Sequence, residues 1–507
     1  MSKELIIDGQ SLTTELVLDV ALGYRRVVLS KAVARELEQS RHVLEKLIEA
    51  GKIMYGVNTG FGRFAEINIP ADEIKALQMN IVLSHAAGVG EPLPDFVVRA
   101  IMLIKANSLA SGYSGVRSVV IQSLLNLLNH RIHPMIPSRG SVGASGDLAP
   151  LAHMALTLLG EGKVRVGGRV LGSLSVLKKA GLRPLTLEAK EGLALLNGTQ
   201  AMNGSGILAW ARARNCYRSA DIIGALSVEG LCGSRIPFDP RIHQARGQKG
   251  QIQCAANLYR LLESSSILEN PSVNRVQEAY SLRCMPQVHG AGRDVLDYAR
   301  SVLEIELNAV TDNPLVFSRQ QEVLSGGNFH GEPLAYCFDA MGIALSGLSS
   351  ISERRIAYLM DSHHSGLPGF LATRQGVDSG FMIPQVTAAA LASENKGLAH
   401  PASVDSIPTS ANQEDYVSMG MNAVNKLWQI IHNTETILGV EILAACQAVD
   451  CRKPSKPSPL MQKVHEAVRR RINRLGKDRF MAPDMETAAD LVRSGTLVDS
   501  LKPFTIE

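Results

Sequence analysis

The sequence contains no Cys-x-x-Cys pair, and its seven cysteines, at 216, 232, 254, 284, 337, 446 and 451, are odd in number and scattered. A disulfide framework and a cysteine-bound zinc site are thereby disfavoured, and reduced thiols in a core are expected. Zinc-hydrolase signatures are missing as well. There is no His-Glu-x-x-His, His363 and His364 are adjacent rather than a helical turn apart, and His330-Gly331-Glu332 lacks the Pro-Cys-x-x-Cys that completes a zinc deaminase. No metal is expected. Nor is there an excess of one charge: a formal net charge of +4 over 507 residues offers no basic surface for nucleic acid. The opening Met1-Ser2-Lys3-Glu4-Leu5-Ile6-Ile7-Asp8 breaks its apolar run with acids, as no signal peptide does, and no later stretch reads as a clean apolar span of membrane length. A cytoplasmic location, with no membrane partner, is the expectation.

What the chain does have is helical periodicity. Apolar residues recur at helical spacing across Ile74 to Leu83, Phe96 to Leu109 and Val116 to Leu128, and from Lys31 to Ala50 with Ser30 as cap and Gly51 as stop. Beyond Leu187 the candidates lengthen, near Ile207 to Leu226, Gln251 to Glu263, Gln287 to Asn308, Glu332 to Met360 and Met421 to Cys451. A basic helix near Val464 to Leu475 follows, with Arg469, Arg470 and Arg471 as a solvated face. Strand signals are limited to Leu5 to Ile7 and one hairpin, Val164 to Val166 and Arg169 to Leu171 around Gly167-Gly168. The predicted fold is mainly α: an elongated bundle of long helices over 201–507, with a smaller N-terminal domain over 1–200 carrying the minor hairpin.

The most unusual stretch is Arg139-Gly140-Ser141-Val142-Gly143-Ala144-Ser145-Gly146-Asp147. Its Gly140, Gly143 and Gly146 are not spaced as Gly-x-Gly-x-x-Gly, and no Gly-Lys-Ser/Thr follows, so a phosphate cradle is disfavoured. Ala144-Ser145-Gly146 has what backbone cyclisation needs: an uncrowded glycine nitrogen, a small residue whose carbonyl it can attack, and a serine between them that can lose water. The product would be an imidazolone with an exocyclic methylene, a carbon electrophile that no side chain supplies. Asp147 is placed to cap a helix through Leu151, Met154 and Leu158, whose N-terminal dipoles would favour developing negative charge at the ring.

With these residues the sequence resembles the aromatic amino acid lyase family, in which Ala-Ser-Gly becomes a 4-methylidene-imidazol-5-one (MIO) prosthetic group. The similarity runs from Tyr55-Gly56-Val57-Asn58-Thr59-Gly60-Phe61-Gly62 to Gln413-Glu414-Asp415. It implies a carbon–nitrogen lyase acting on a small amino acid, with no diffusible cofactor, assembled as a homotetramer whose sites are shared between subunits.

Elimination of ammonia needs a base, a carboxylate anchor and a ring pocket beside the electrophile. Tyr55 lies in a glycine-rich loop read as a lid. As a residue it is equally a packed loop aromatic, with a phenol ordinarily near pKa ~10; the resemblance makes it a base. In Tyr280-Ser281-Leu282-Arg283-Cys284-Met285-Pro286-Gln287, Tyr280 and Arg283 share one side of a helix, as does Gln277 before them. Arg283 offers paired donors for a carboxylate, or a structural salt bridge; the family signature favours substrate. The turns at Asn197 and Asn313 read alone as caps, and the resemblance sets both against the prosthetic group and the substrate carboxylate. Phe329 is assigned, on the same ground, to the border of the ring pocket. His85, in Ser84-His85, matches the histidine-specific members but also suits a phenol. Glu414 discriminates better, because an imidazole N–H rewards a carboxylate and a benzene ring does not; as a residue it is also a possible cap for a helix from Tyr416 to Asn425. Tyr416 departs from those members, which carry histidine there. L-histidine is therefore the expected substrate and trans-urocanate the product. The alternatives are a tyrosine or phenylalanine lyase or aminomutase of the family, and a non-catalytic helical scaffold.

Overall fold

The computed structural model describes residues 4–269, 271–272 and 275–506. Among these the chain forms 21 α-helices and only small sheets, the largest of three strands, so the mainly α expectation holds. The long helices run Gln200–Gly230, Met285–Leu307, Glu332–Met360 and Gly420–Cys451. Their apolar residues are not confined to one stripe, and residues 437–450 are buried without a break, as a helix packed on all sides requires. Contrary to the expectation that no stretch is a membrane-length apolar span, Glu332–Met360 is long and apolar enough to cross a membrane by length and composition. Some 56% of its most apolar stretch is buried inside the protein, as in a core helix.

The chain divides into two compact units: Met1–Leu208 with Arg300–Phe338 and Ala402–Asn425, and Ala209–Ala299 with Asp339–Pro401 and Lys426–Glu507. At the centre of the first, the helix Asp95–Ala110 is buried from Val97 onward. Its two cations are accommodated by carbonyls, Arg99 donating to Val20 and Leu128 and Lys105 to Asn197. Lys31–Glu49 forms where expected and Gly51 stops it at φ +75°, although Ser30 makes no side-chain capping bond. Leu44 from this helix joins Met54, Val57, Ile74, Ala189 and Val316 in one apolar cluster. Burying the larger of these side chains is worth about 2 kcal/mol each, and since Met54 and Val57 flank Tyr55, the cluster pins the chain on both sides of that tyrosine.

The expected hairpin pairs Lys163–Val166 with Arg169–Gly172, and His133–Pro134 adds a third strand. A second hairpin, Leu315–Phe317 with Glu322–Leu324, was not expected, because three-residue strands are too short to show alternation. It matters for the site: closing it brings Asn313 beside Gly326, whose N–H donates to Asn313 Oδ1 at 2.7 Å.

In the second unit the C-terminal basic helix spans Pro459–Arg469 rather than 464–475. Ser458 sets its start, accepting from the Met461 N–H, with proline in the first turn where its missing donor costs nothing. Arg469 is not part of a solvated face: it pairs with Asp450 at 2.9 Å. Five of the seven cysteines are buried. One, Cys254, meets Asp221 and His289 in a buried trio. Asp221 there also accepts from Asn257 and Arg293, and although burial alone would raise its pKa, Arg293 and His289 hold it at about 2. With Arg293 already neutralising the carboxylate, the trio is a structural network.

Candidate active site

The Ala144-Ser145-Gly146 tripeptide is folded back on itself. The Gly146 N–H donates to the Gly143 carbonyl at 3.1 Å, and Ser145 between them is in the left-handed region at φ +50°. Gly146, at φ +80°, lies so close to the next segment that a Cβ on it would come 2.3 Å from the Gly198 carbonyl oxygen. Only glycine fits. Gly198 in turn grips the loop on both sides, donating from its N–H to Ser145 O at 3.3 Å and accepting from the Asp147 N–H at 2.8 Å.

The helix Leu148–Leu158 begins directly after the loop, as expected, but Asp147 does not cap it with its side chain. Its carboxylate is drawn instead to the start of Gln200–Gly230, accepting from the Met202 N–H at 2.8 Å. Burial pushes its pKa up to about 7 against the pull of the Met202 and Ala201 N–H groups.

A cavity of about 1010 Å³ opens over this loop within the first unit, lined by Tyr55, His85, Ser145, Asn197, Asn313, Phe329 and Glu414 together with residues 60–65. These residues come from seven separated stretches of sequence. The Tyr55 hydroxyl accepts from the Gly62 N–H at 3.2 Å. That bond favours the phenolate, yet burial, aided by the charge of Glu414, raises the phenol's pKa overall. Asn197 donates to the Asn313 carbonyl at 2.6 Å and to Asp312 at 3.3 Å, so the two asparagines are held as a pair.

Glu414 is not a helix cap, since the following helix starts only at Gly420. It sits across a tight bridge from Thr409, whose hydroxyl donates to Glu414 Oε2 at 2.8 Å. Between them Ser410, Ala411 and Asn412 all have positive φ, a costly run for residues with a Cβ. His85 Nδ1 lies 3.1 Å from Ser84 Oγ, and burial lowers the ring's pKa, which favours the neutral form. Tyr416 does not line the cavity: it is exposed and stacks on His330, centroids 6.0 Å apart.

Behind the asparagines lies a layer of buried charge that the sequence reading missed. Lys105 Nζ donates to Asn197 O at 2.6 Å, and burial brings its pKa down to about 7 against the pull of Asp312. Lys190 pairs with Asp312 at 2.6 Å. The available signal was a lysine inside an otherwise apolar helix, Met102-Leu103-Ile104-Lys105-Ala106.

Gln277, Tyr280 and Arg283 belong to the second unit and do not line this cavity. They do form one cluster. Arg283 lies 4.6 Å from the Tyr280 ring, and both its terminal nitrogens reach the Gln277 amide oxygen, at 2.7 and 2.8 Å, once that amide is turned to satisfy both groups. Tyr280 is 71% exposed, so the cluster faces outward.

A model of the aromatic amino acid lyases matches residues 12–470. The chain belongs to the aromatic amino acid lyase family. Among its relatives, the histidine ammonia-lyase of Koribacter versatilis (strain Ellin345) is 50% identical over 509 residues, covering 98% of this chain and 99% of that protein. Among solved structures, histidine ammonia-lyase from Trypanosoma cruzi matches with a TM-score of 0.92 at 40% identity, covering 100% of this chain and 96% of that one. Tyrosine aminomutase from Streptomyces globisporus matches with a TM-score of 0.95 at 39% identity, covering both chains completely. As an aromatic amino acid lyase, the protein is a carbon–nitrogen lyase.

The Thr409 bond carries a direct prediction. A hydrogen bond to a charged group is worth roughly 1.5 kcal/mol or more, about tenfold in rate. Thr409→Val should lower kcat/KM for the amino acid substrate about tenfold, and Thr409→Ser should stay near wild type. Equal kinetics for valine and wild type would mean that Glu414 needs no such support.

Proposed function

We propose that the protein eliminates ammonia from L-histidine to give trans-urocanate, using MIO made from Ala144, Ser145 and Gly146. The observation that carries the substrate is Glu414: a carboxylate, one oxygen held by Thr409, lining the same cavity as Ser145. An imidazole N–H can donate to it, whereas a benzene ring would leave it desolvated without a partner. The fit of the prosthetic group rests on the loop, where the tripeptide is already bent and Gly198 leaves no room for a Cβ at Gly146. When formed, the group supplies a carbon electrophile on the amine side of the substrate.

The chain's own residues supply the rest. Tyr55 takes the proton from the β carbon, with the Gly62 N–H steadying the phenolate. Asn197 and Asn313, locked to one another, set the polar wall beside Ser145. Phe329 borders the substrate ring, and His85 lies at the same end as Glu414, within reach of its charge. Gln277, Tyr280 and Arg283 act from another subunit of a homotetramer: they cluster on an exposed face and do not line the cavity of their own chain. Arg283 presents the paired donors that a substrate carboxylate needs. The substrate and product are small and water-soluble, in keeping with a cytoplasmic enzyme.

The decisive experiment is turnover of each aromatic amino acid, followed by the ultraviolet absorbance of the conjugated acid. L-histidine should be preferred, and Glu414→Gln should depress its kcat/KM at least about tenfold more than that of any tyrosine or phenylalanine side activity. Robust turnover of L-tyrosine with none of L-histidine would overturn the assignment.

The raised pKa of Tyr55 fixes the sign of a pH effect. A base must be deprotonated to act, and burial keeps the phenol protonated to higher pH, so kcat should climb from neutral into the alkaline range. Tyr55→Phe should remove most of the rate at every pH while leaving substrate binding largely in place; a phenylalanine variant with the wild-type profile would exclude Tyr55 as the base.

Sharing of sites is checked by complementation. Tyr55→Phe and Arg283→Lys subunits, each nearly inactive alone, should regain part of the activity when co-expressed, because mixed tetramers then contain sites with both residues intact. No recovery in demonstrably mixed tetramers would place Arg283 in the site of its own chain.

A further inference from the structure

We propose that Ser141 is the positioning residue that holds the Ala144-Ser145-Gly146 loop in the bent state from which it cyclises. The inference rests on the reading that this tripeptide becomes the prosthetic group, and it adds which side chain poises the backbone for the step. A single hydroxyl bridges Gly143, just before the reacting segment, and Gly146, its last residue: Ser141 Oγ accepts from the Gly143 N–H at 3.1 Å and donates to the Gly146 carbonyl at 3.1 Å. Inside that bracket the Gly146 N–H is directed at the Gly143 carbonyl, also at 3.1 Å.

The surrounding contacts do not perform this task. Gly198 bonds to Ser145 and Asp147, and the Met419 N–H donates to Val142 O at 2.9 Å. These bonds anchor the loop to its neighbours, whereas the serine draws its two glycines toward each other. The outer side is also closed, since a Cβ on Gly143 would come 2.3 Å from Ser418 Oγ. The loop therefore cannot relax outward, and the serine keeps it from opening along its own length.

Ring closure forms a bond from the Gly146 nitrogen to the Ala144 carbonyl carbon, and the amide proton passes to the Ala144 oxygen. That oxygen leaves as water with the Ser145 amide proton, making a carbon–nitrogen double bond. The second water takes the Ser145 hydroxyl and its Cα proton, leaving the methylene. No bond of the main chain breaks, and no oxidant or reductant is needed. The obstacle is the approach of an amide nitrogen to a carbonyl two residues back, so holding that geometry before reaction removes its entropic cost from the barrier.

The test is mass spectrometry of the loop peptide from full-length protein, which reads the modification without reference to activity. Wild type should fall short of the encoded mass by two waters, Ser145→Ala should lack the normal product, and Ser141→Ala should remain largely unmodified, at least tenfold less complete at a fixed time after synthesis. Ser141→Thr, which keeps the hydroxyl, should recover the dehydrated mass, with circular dichroism and oligomeric state unchanged across the series. Complete dehydration in a folded Ser141→Ala protein overturns the role of Ser141 and leaves the prosthetic-group reading standing. An unmodified wild type overturns both. If the alanine variant does not fold, Ser141→Cys, close in size but a weak hydrogen-bonding group, takes its place, and full dehydration there overturns the proposal equally.

Discussion

The contact on which the site depends is one between two stretches of backbone. The Ala144-Ser145-Gly146 loop and the Asn197-Gly198 turn meet with main-chain atoms touching, and the space between them admits no side chain at Gly146. Glycine here gives up conformational freedom on folding, a cost a protein bears only where close approach is required. The return is a tripeptide whose nitrogen, carbonyls and flanks are already oriented, directly before a helix whose N-terminal dipoles favour negative charge.

Holding that contact requires the turn to be rigid, and a layer of buried charge provides it. Lys105 fastens the Asn197 carbonyl, and Lys190 and Asp312 pair beside the Asn197 side chain. Buried ions are expensive, and they persist where each finds a partner and where a fixed geometry is worth the desolvation. Asp147 extends the same logic to the other side of the loop, tying it to the start of Gln200–Gly230. In place of the expected local cap, the carboxylate is a long-range tether, bonded to the Met202 and Ala201 N–H groups.

The cavity over the loop combines apolar and polar side chains. Leu77, Ile81 and Phe329 line its apolar part, and Glu414 and His85 interrupt it with polar groups. Glu414 owes its orientation to Thr409 and to a strained run of positive φ between them. Strain of this kind survives where neighbouring contacts over-determine it. Tyr416, the position at which the chain departs from the histidine-specific pattern, falls outside the cavity and spends its ring on His330.

Much was legible in the sequence because it is local or chemical. The long helices follow from unbroken apolar periodicity, the hairpin at Gly167-Gly168 from its turn, and the bent loop at Ala144-Ser145-Gly146 from its glycine spacing. Tertiary structure decided what depends on distant partners. The hairpin after Leu315 was too short to carry a pattern, yet it aligns Asn313 with Gly326. Nothing local distinguishes Thr409 from any other threonine, or tells Asp147 to serve Met202 in place of its own helix. That Tyr55, His85, Ser145, Asn197, Asn313, Phe329 and Glu414 share one cavity, while Gln277, Tyr280 and Arg283 cluster elsewhere, could not be read from spacing. The sequence determines which groups are available and what each can do; folding determines which of them meet, because hydrogen bonds and burial are decided by neighbours in space.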